Sequence, residues 1–103
     1  MRGDVYRLKA PRAARGHEQR GHRYAVVVQN DRLSLSTWIV APTSTSAGAA
    51  SFRPEIEIDG AVTRVLVDQV AAIDPLRLGD QVGHLSRAAM DQVDRALAVV
   101  LGL

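Results

Sequence analysis

A run of small and β-branched apolar residues, Ala25-Val26-Val27-Val28, places the strongest constraint on the fold of this chain. The run continues to Gln29 and stops at the turn pair Asn30-Asp31. It is too short for a helix and apolar at nearly every position, which is typical of a strand buried on both faces. A second run of this kind covers residues 37–41 and is expected to stop at Pro42. The two runs predict a β-rich core.

The rest of the chain supplies short strand patterns separated by turn signals. Glu55-Ile56-Glu57-Ile58 alternates polar and apolar residues, and Asp59-Gly60 after it is a strong hairpin signal. Residues 43–51 are all small or polar and predict a loop, whereas residues 74–78 predict one helical turn. Further strands are predicted over residues 5–8, 55–58, 62–67, 70–73 and 81–85.

The end of the chain carries a clear helical pattern. Ser86 occupies an N-cap position, and apolar residues then recur at steps of three and four. The stripe, predicted to face inward, consists of Met90, Val93, Ala96, Leu97, Val100 and Leu101. At this length we expect a single domain over residues 1–103, a mainly β fold in which a small, strongly curved antiparallel barrel or sandwich is closed by a C-terminal helix.

Charge is distributed unevenly along the chain. Residues 1–32 hold eight basic and three acidic residues, a net charge of +5, whereas residues 33–103 hold five basic and eight acidic residues, a net charge of −3. Twelve of the thirteen basic residues are arginine, whose planar guanidinium group suits phosphate. The basic front includes a long loop over residues 11–21 and predicts salt-dependent affinity for a polyanion.

Composition excludes several kinds of site and location. The chain has no cysteine, which excludes disulfides, thiolate zinc sites and a cysteine nucleophile. Its apolar runs are far shorter than the roughly 20 residues of a membrane helix, and the N-terminus lacks the apolar stretch of a signal peptide. We therefore expect a cytoplasmic protein, and the small core makes an oligomer a reasonable expectation.

Six blocks, read in order, carry a family resemblance. They are Arg2-Gly3-Asp4-Val5-Tyr6, Gly16-His17-Glu18-Gln19, Arg23 followed by residues 25–31, Ile39-Val40-Ala41-Pro42-Thr43-Ser44, Val67-Asp68-Gln69-Val70 and Met90-Asp91-Gln92-Val93-Asp94. With these blocks the chain resembles the MazF/PemK (Kid) family of toxin endoribonucleases from toxin–antitoxin operons. The similarity covers nearly the whole chain.

The resemblance implies a fold, an activity and partners. The fold would be an SH3-like small barrel with added helices, shared with CcdB-type gyrase poisons, and the working form would be a homodimer. The activity would be sequence-specific cleavage of single-stranded RNA without a metal or other cofactor, restrained by a cognate MazE-like antitoxin. The substrate's own 2′-hydroxyl would attack and leave a cyclic phosphate, a reaction that needs a base, an acid and positive charge around the phosphorane.

The same resemblance implies a set of catalytic residues. Arg23 matches the catalytic arginine and would stabilise the transition state, although its setting alone would make it a surface arginine. Ser44 stands where the family usually has a catalytic threonine and keeps the hydroxyl. His17 matches a histidine that contacts RNA or aids proton transfer, and the alternative is a solvated loop histidine. Glu18 would act as base, orient Arg23 or pair with a neighbouring arginine. Asp68 matches an acidic residue that is the base in some members.

Two departures from the family pattern affect the expected roles. Kid-like members carry an arginine two residues before the acidic residue, but this chain has Leu66, so Asp68 is also a candidate for bracing the hairpin or binding a base edge. Tyr24 replaces the proline that commonly follows the catalytic arginine, and it keeps a backbone donor and offers a stacking face. The residues expected to bind RNA are Gln19, Tyr24, Asn30, Thr43, Thr45 and Gln69.

Two other functions are weighed against the ribonuclease. A gyrase poison of the CcdB type would end in an exposed, aromatic-containing helix tip, whereas residues 99–103 are aliphatic. A family member that binds RNA or antitoxin without cutting is the other alternative, which Ser44 and Leu66 keep open. Trp38 is expected in the core, and His84 is expected in a structural or interface contact.

Overall fold

The computed structural model describes residues 1–9 and 23–103, and within them it contains seven strands, two 3₁₀ turns and one helix. The strands are β1 (Asp4–Leu8), β2 (Tyr24–Val27), β3 (Trp38–Ser44), β4 (Glu55–Ile58), β5 (Ala61–Val65), β6 (Ala71–Ile73) and β7 (Leu78–His84). The 3₁₀ turns are Val67–Gln69 and Pro75–Arg77, and the helix α1 is Arg87–Leu101. The prediction of a mainly β domain with a C-terminal helix is confirmed.

The described strands pair antiparallel in one half-barrel sheet with the order β4-β5-β3-β2-β1-β7, and β6 also pairs with β3. β3 joins the two parts of this sheet. Its first part pairs with β2 and β6, while Thr43 and Ser44 at its end pair with Val65 and Arg64 of β5. β3 therefore holds the β4–β5 hairpin against the rest of the domain.

β2 is buried on both faces, as its sequence predicts. Tyr24 and Val26 belong to a first core that also contains Val93 of α1. Ala25 and Val27 belong to a second core on the other face. Burial on both faces fixes the register of the strand, because a slip of one residue would exchange the two sets of side chains.

Trp38, which is expected in the core, is partly buried and packs against the second core. The indole meets the ring of Tyr6 edge to face, with the two centroids 5.8 Å apart and the planes at 67°. This geometry suits the quadrupoles of two aromatic rings. Val40 and Leu78 belong to the buried part of the same core.

α1 begins where the sequence predicts. Ser86 caps the helix through Oγ, which accepts a hydrogen bond from the Ala89 N–H at 3.1 Å. Gly102 ends it with a φ of 72°, in the left-handed region that glycine adopts readily. Val93 is fully buried in the first core, and Met90 packs against that core.

The last turn of α1 departs from the predicted inward stripe. Val100 and Leu101 are 36% and 56% exposed, so the prediction is wrong at these two positions. Among the helix residues that pack on the first core, Leu97 is the last. The apolar periodicity of the sequence continues past Leu97, but the described strands offer no surface against which Val100 and Leu101 could pack.

The β4–β5 hairpin has the predicted two-residue turn. Asp59 and Gly60 have φ angles of 52° and 80°, and positive values at both central positions define a type I′ turn. The turn sets the register of the hairpin, which runs to Glu55 opposite Arg64. The outward face of this hairpin therefore carries an acid and an arginine side by side.

β3 passes through Pro42, where the sequence predicts that it stops. Pro42 pairs with Ala25 of β2, and its carbonyl accepts a hydrogen bond from the Leu66 N–H at 2.8 Å. Proline removes only a backbone donor, and the strand continues because the acceptor is the group that is used here. β3 therefore ends at Ser44, and the following loop begins at Thr45, two residues later than expected.

Two other predicted boundaries differ from the structure. The second strand of the hairpin ends at Val65, because the chain then turns into the 3₁₀ segment Val67–Gln69. The last strand begins at Leu78 rather than at residue 81, and it pairs with β1 through two shifts of register. Such irregular pairing leaves no regular sequence pattern for prediction.

Val65 and Val62 are two valines of β5 with opposite exposure, 0% and 61%. Val65→Ala removes two buried methyl groups and should lower the free energy of unfolding by about 2 kcal/mol. Val62→Ala should change it by about 0.5 kcal/mol or less. Urea denaturation followed by circular dichroism measures both variants. Equal losses would contradict the inward orientation of Val65.

Asp4 links the start of the chain to the last strand. It pairs with His84 across β1 and β7, and its carboxylate lies 2.7 Å from His84 Nδ1 and 3.1 Å from the ammonium group of Met1. Burial alone would raise the pKa of Asp4, but the hydrogen bonds from His84 and the ammonium group outweigh it and hold that pKa below its ordinary value. His84 thus makes the structural contact that the sequence predicts.

The lowered pKa of Asp4 makes part of the stability depend on pH. In the unfolded chain an aspartate has a pKa of about 3.9, so the unfolded state binds more protons than the native state just below that pH. The contribution of Asp4 is therefore complete above about pH 5 and is lost as the pH falls through its native pKa. Asp4→Asn should be about 2 kcal/mol less stable than the parent near neutral pH.

The difference between Asp4→Asn and the parent protein should shrink as the pH falls below about 4. Urea denaturation at a series of pH values from neutral to acidic measures this difference. A gap that stays constant over the whole series would show that the native pKa of Asp4 is not lowered.

Candidate active site

The register of the sheet places Arg23 and Ser44 side by side. The last pair of the β2–β3 register is Ala25 with Pro42, and beyond it Tyr24 and Arg23 both bond to Thr43. Continuing the antiparallel register by two positions puts Arg23 opposite Ser44. On its other side Ser44 pairs with Arg64 of β5. Directly opposite residues of antiparallel strands share a face, with Cβ atoms about 5 Å apart. Arg23, Ser44 and Arg64 thus form a cross-strand row, named here the Ser44 row.

The Ser44 row lies on the face of the sheet that carries the second core, beyond Ala25 and Val40, and this partly exposed end is called the open face here. Its three residues are partly exposed, whereas the residues beside them in each strand, Tyr24, Thr43 and Val65, are buried. Successive side chains of a strand point to opposite faces, so the row is separated from the core that packs against α1. A ligand can reach the row without displacing core residues.

Arg23 is anchored at the start of β2. Its carbonyl accepts a hydrogen bond from the Leu8 N–H at 2.9 Å, and its Nε donates to the carbonyl of Thr43 at 3.3 Å. Among residues 1–9 and 23–103, no carboxylate lies within ion-pair distance of this guanidinium. Since an arginine stays protonated in proteins, Arg23 brings to the row a positive charge that the described residues leave uncompensated.

Ser44 ends β3 and begins the loop to β4. Its Oγ accepts a hydrogen bond from the Ser46 N–H at 3.2 Å and lies 3.2 Å from the Ser46 Oγ. These contacts form a small side-chain turn that fixes the first residues of the loop. The hydroxyl is held in the middle of the row, and Thr45 is exposed beside it.

Thr43 and Tyr24, two of the residues predicted to bind RNA, are buried. Thr43 is 1% exposed, and its Oγ1 accepts a hydrogen bond from the Tyr24 N–H at 3.2 Å. Tyr24 is 8% exposed in the first core, with the guanidinium of Arg7 5.9 Å from the centre of its ring. The backbone donor that tyrosine has and proline lacks is bonded inside the sheet, and the ring packs in the core rather than on the open face.

Two ion pairs flank the Ser44 row on the β5 side. Arg64 donates from Nη2 to Glu55 at 2.5 Å and from Nη1 to the carbonyl of Arg53 at 3.3 Å. Arg53 donates from Nε and Nη2 to the two carboxylate oxygens of Asp68, at 3.1 and 2.9 Å. One network of hydrogen bonds thus runs from the row to Asp68 through two guanidinium groups.

Asp68 lies beside the end of β3, because the turn that carries it follows the bond from Leu66 to Pro42. The hydrogen bonds from Arg53 lower the pKa of Asp68 below its ordinary value. Leu66 is buried, and Arg53 supplies a guanidinium to Asp68 from the loop before β4 instead. Gln69 is exposed next to Asp68 and borders the same network.

Asn30 lies away from the row. It follows the opposite end of β2 from Arg23, and its Oδ1 accepts a hydrogen bond from the Arg32 N–H at 2.9 Å. The structure therefore does not bring this predicted RNA-binding residue to the other candidates. Three further predicted residues lie outside the described residues, namely His17, Glu18 and Gln19.

Arg53 and Arg64 are the site residues that sequence reasoning missed. A signal for Arg64 was present, because the turn at Asp59-Gly60 fixes a register that puts Arg64 opposite Glu55 on the outward face. Arg53 had no such signal. It lies in a loop, and its partner Asp68 follows fifteen residues later in the chain.

The chemical groups gathered at this site are guanidinium, hydroxyl and carboxylate groups. In residues 1–9 and 23–103, no three His, Asp or Glu side chains come together as a group able to hold a metal ion. The same part of the chain contains no helix that is long and apolar enough to cross a membrane. The site thus brings arginine and hydroxyl groups together at the end of β3 in a small β domain.

The sequence assigns this domain to a family. Residues 1–101 match the family described as PemK-like, MazF-like toxin of type II toxin-antitoxin system. The chain belongs to this family, and the resemblance carried by the six sequence blocks is confirmed.

Individual relatives and solved structures are similar over the full chain. A candidate toxin of Mycobacterium tuberculosis is 50% identical over 104 residues, covering 100% of this chain and 98% of the relative. Endoribonuclease EndoA of Bacillus subtilis is 37% identical over 111 residues, covering 99% and 94%. An endoribonuclease in complex with its cognate antitoxin from Mycobacterial species has a TM-score of 0.79 at 22% identity, covering 100% and 95%. A MazE-MazF structure (Form-II) from Deinococcus radiodurans has a TM-score of 0.75 at 19% identity, covering 99% and 94%.

Variants of Thr43 test the buried contact between β2 and β3. Thr43→Val leaves the Tyr24 N–H without its acceptor and should lower the free energy of unfolding by about 2 kcal/mol. Thr43→Ser keeps the acceptor, loses one methyl group and should lower it by about 1 kcal/mol. Urea denaturation measures both. A valine variant as stable as the parent protein would show that Thr43 is not needed as an acceptor.

Proposed function

We propose that this protein is the endoribonuclease toxin of a toxin–antitoxin pair, and that it cleaves single-stranded RNA at a specific sequence without a metal ion. The Ser44 row supports the proposal, because Arg23 bonds to the carbonyl of Thr43 next to Ser44 and has no carboxylate partner in the described part of the chain. The 37% identity to EndoA, which is named as an endoribonuclease, supports the same conclusion.

The proposed reaction uses the 2′-hydroxyl of the substrate as nucleophile. A base takes its proton, the 2′-oxygen bonds to the adjacent phosphorus, and the bond from phosphorus to the 5′-oxygen breaks. The products are a cyclic phosphate and a 5′-hydroxyl. Negative charge grows on the non-bridging oxygens during attack, and the N–H groups of Arg23 and the Ser44 hydroxyl are the donors placed to stabilise it.

The proton transfers are assigned to other residues. His17 and Glu18, which lie outside the described residues, are the proposed acid–base pair. The resemblance matches His17 to a histidine that contacts RNA or aids proton transfer, and Glu18 is a carboxylate that can act as a base. The base role expected for Asp68 competes with its two hydrogen bonds to Arg53. Arg23 supplies positive charge near the phosphorane, and Arg64, which is paired with Glu55, supplies N–H donors. This charge and these donors are the basis for proposing that no metal ion is required.

The proposed protein partners are a second copy of the chain and an antitoxin. Structures of similar fold include a complex of an endoribonuclease with its cognate antitoxin and a MazE-MazF structure. An antitoxin segment with acidic side chains would be attracted to Arg23 and would cover the Ser44 row. Occlusion of the row is therefore the proposed mode of inhibition, since RNA and the antitoxin would compete for one surface.

Arg23→Ala provides the test of the proposed function. A mixed-sequence RNA is incubated with the parent protein in excess EDTA, and we expect cleavage at a reproducible sequence. Arg23→Ala should lower the rate by roughly 100- to 1000-fold, as expected for removing one transition-state donor. Mapping of product ends and single-turnover rates measure both effects.

Arg95→Ala is the matched control for Arg23→Ala, because Arg95 is exposed on α1 and the two variants lose the same charge. It should cut at the parental rate. RNA with 2′-deoxy residues should not be cut if the 2′-hydroxyl is the nucleophile. Cleavage that disappears with EDTA, or that survives in Arg23→Ala at the parental rate, would contradict the proposal.

A further inference from the structure

The Arg53–Asp68 pair has no assigned step in the reaction, and its geometry points to one. We propose that Arg53 binds a phosphate of the RNA strand next to the one that is cleaved, and that Asp68 is the positioning residue that orients Arg53. This inference rests on the proposed function, because it takes single-stranded RNA as the ligand.

Arg53 has donors left for a ligand. A guanidinium group has five N–H donors. Nε and one N–H of Nη2 bond to Asp68, and one N–H of Nη1 is directed at the Gly48 carbonyl at 3.5 Å. One donor on each terminal nitrogen therefore remains. Because the side chain is 25% exposed, a phosphate oxygen can reach these donors.

Arg53 is fixed in place before any ligand arrives. Its N–H donates to the Ala50 carbonyl at 3.0 Å, and its own carbonyl accepts from Arg64. Its guanidinium is held by Asp68 and lies 5.6 Å from the centre of the Phe52 ring. An arginine that is oriented in advance loses less side-chain entropy when it binds, which strengthens its contact with a phosphate.

Arg53 lies on the side of the row away from Arg23. The loop that begins after Ser44 returns to Arg53, and Arg64, the partner of Ser44 in β5, bonds to the Arg53 carbonyl. An RNA strand with its reacting phosphate between Arg23 and Ser44 would continue over the β5 side. The next phosphate along that path would meet the free donors of Arg53.

Asp68 is suited to positioning rather than to proton abstraction. Both of its oxygens already accept hydrogen bonds from Arg53, so taking a proton from the 2′-hydroxyl would weaken that pair. The lowered pKa of Asp68 also makes it a weaker base. The orienting role, by contrast, requires only the ionised carboxylate that already accepts the hydrogen bonds of Arg53.

Binding of an uncleavable RNA tests the inference. The probe is a mixed-sequence single strand with 2′-O-methyl groups throughout, which lacks the nucleophile whatever its sequence. Arg53→Ala should weaken binding about tenfold and lower the slope of log affinity against log salt by up to about 0.7, the value for one phosphate contact on a single strand. Arg53→Lys should restore the slope but only part of the affinity, because it lacks the planar fork.

Asp68→Asn separates positioning from base catalysis. It should weaken binding about threefold when Arg53 is present and should not weaken it in the Arg53→Ala background, since Asp68 acts through Arg53. In cleavage assays of Asp68→Asn, the acid limb of the pH profile, which is the fall of kcat/KM at low pH, should remain. Removal of that limb with unchanged binding of the uncleavable RNA would overturn the inference and make Asp68 the base.

The controls are Arg95→Ala for Arg53→Ala and Asp80→Asn for Asp68→Asn. Asp80 is exposed on β7, at the edge of the sheet opposite β4. Arg53→Gln, which keeps much of the side-chain length, replaces the alanine variant if circular dichroism shows a folding defect. A salt slope for these Arg53 variants equal to that of Arg95→Ala would overturn the inference.

The outcomes for the parent protein distinguish the two proposals. If the parent protein cuts RNA, and Arg53→Ala binds and cuts RNA as well as the parent protein, the inference fails and the proposed function stands. If it binds the uncleavable RNA with an Arg53-dependent salt slope but cuts no RNA, the proposed function fails and the phosphate contact stands. If it binds no RNA, both are overturned.

Discussion

The pairing of β3 with three different strands is the constraint on which the rest of the structure depends. Residues 38–40 pair with β6, residues 40–42 pair with β2, and Thr43 and Ser44 then pair with β5. At this change of partner the Tyr24 N–H is bonded to the buried Thr43 Oγ1. A slip of one residue would turn Thr43 outward and Ser44 inward, so the same register determines both the core and the open row.

The open row also places two arginines near each other without leaving both charges uncompensated. Arg23 and Arg64 are separated by two strand spacings, on the order of 10 Å. Arg64 is paired with Glu55, its cross-strand neighbour in the hairpin, whereas Arg23 is bonded to a carbonyl group. The hairpin therefore brings its own acid to the site, and the repulsion that would otherwise oppose a row of guanidinium groups is reduced.

Local signals explain how much of this structure could be predicted. The doubly buried β2, the Asp59-Gly60 turn and the Ser86 cap depend on a few neighbouring residues, and all three were predicted correctly. Arg23 and Ser44 were found through a family resemblance rather than through chemistry visible in the sequence. The contact of Arg53 with Asp68 depends on the path of a loop across the sheet, and no local pattern encodes such a path.

Charge and direction are supplied to the candidate site by different arginines. Arg23, which no described carboxylate neutralises, is held by one hydrogen bond from its side chain to a carbonyl. Arg53 and Arg64 are compensated by Asp68 and Glu55, yet each is held in one orientation by its carboxylate. In-line attack by a 2′-hydroxyl requires the sugar and phosphate to be aligned, and one attractive charge cannot impose that alignment. The acidic residues beside the row are therefore compatible with the proposed binding of RNA, because Asp68 and Glu55 hold Arg53 and Arg64 in fixed orientations.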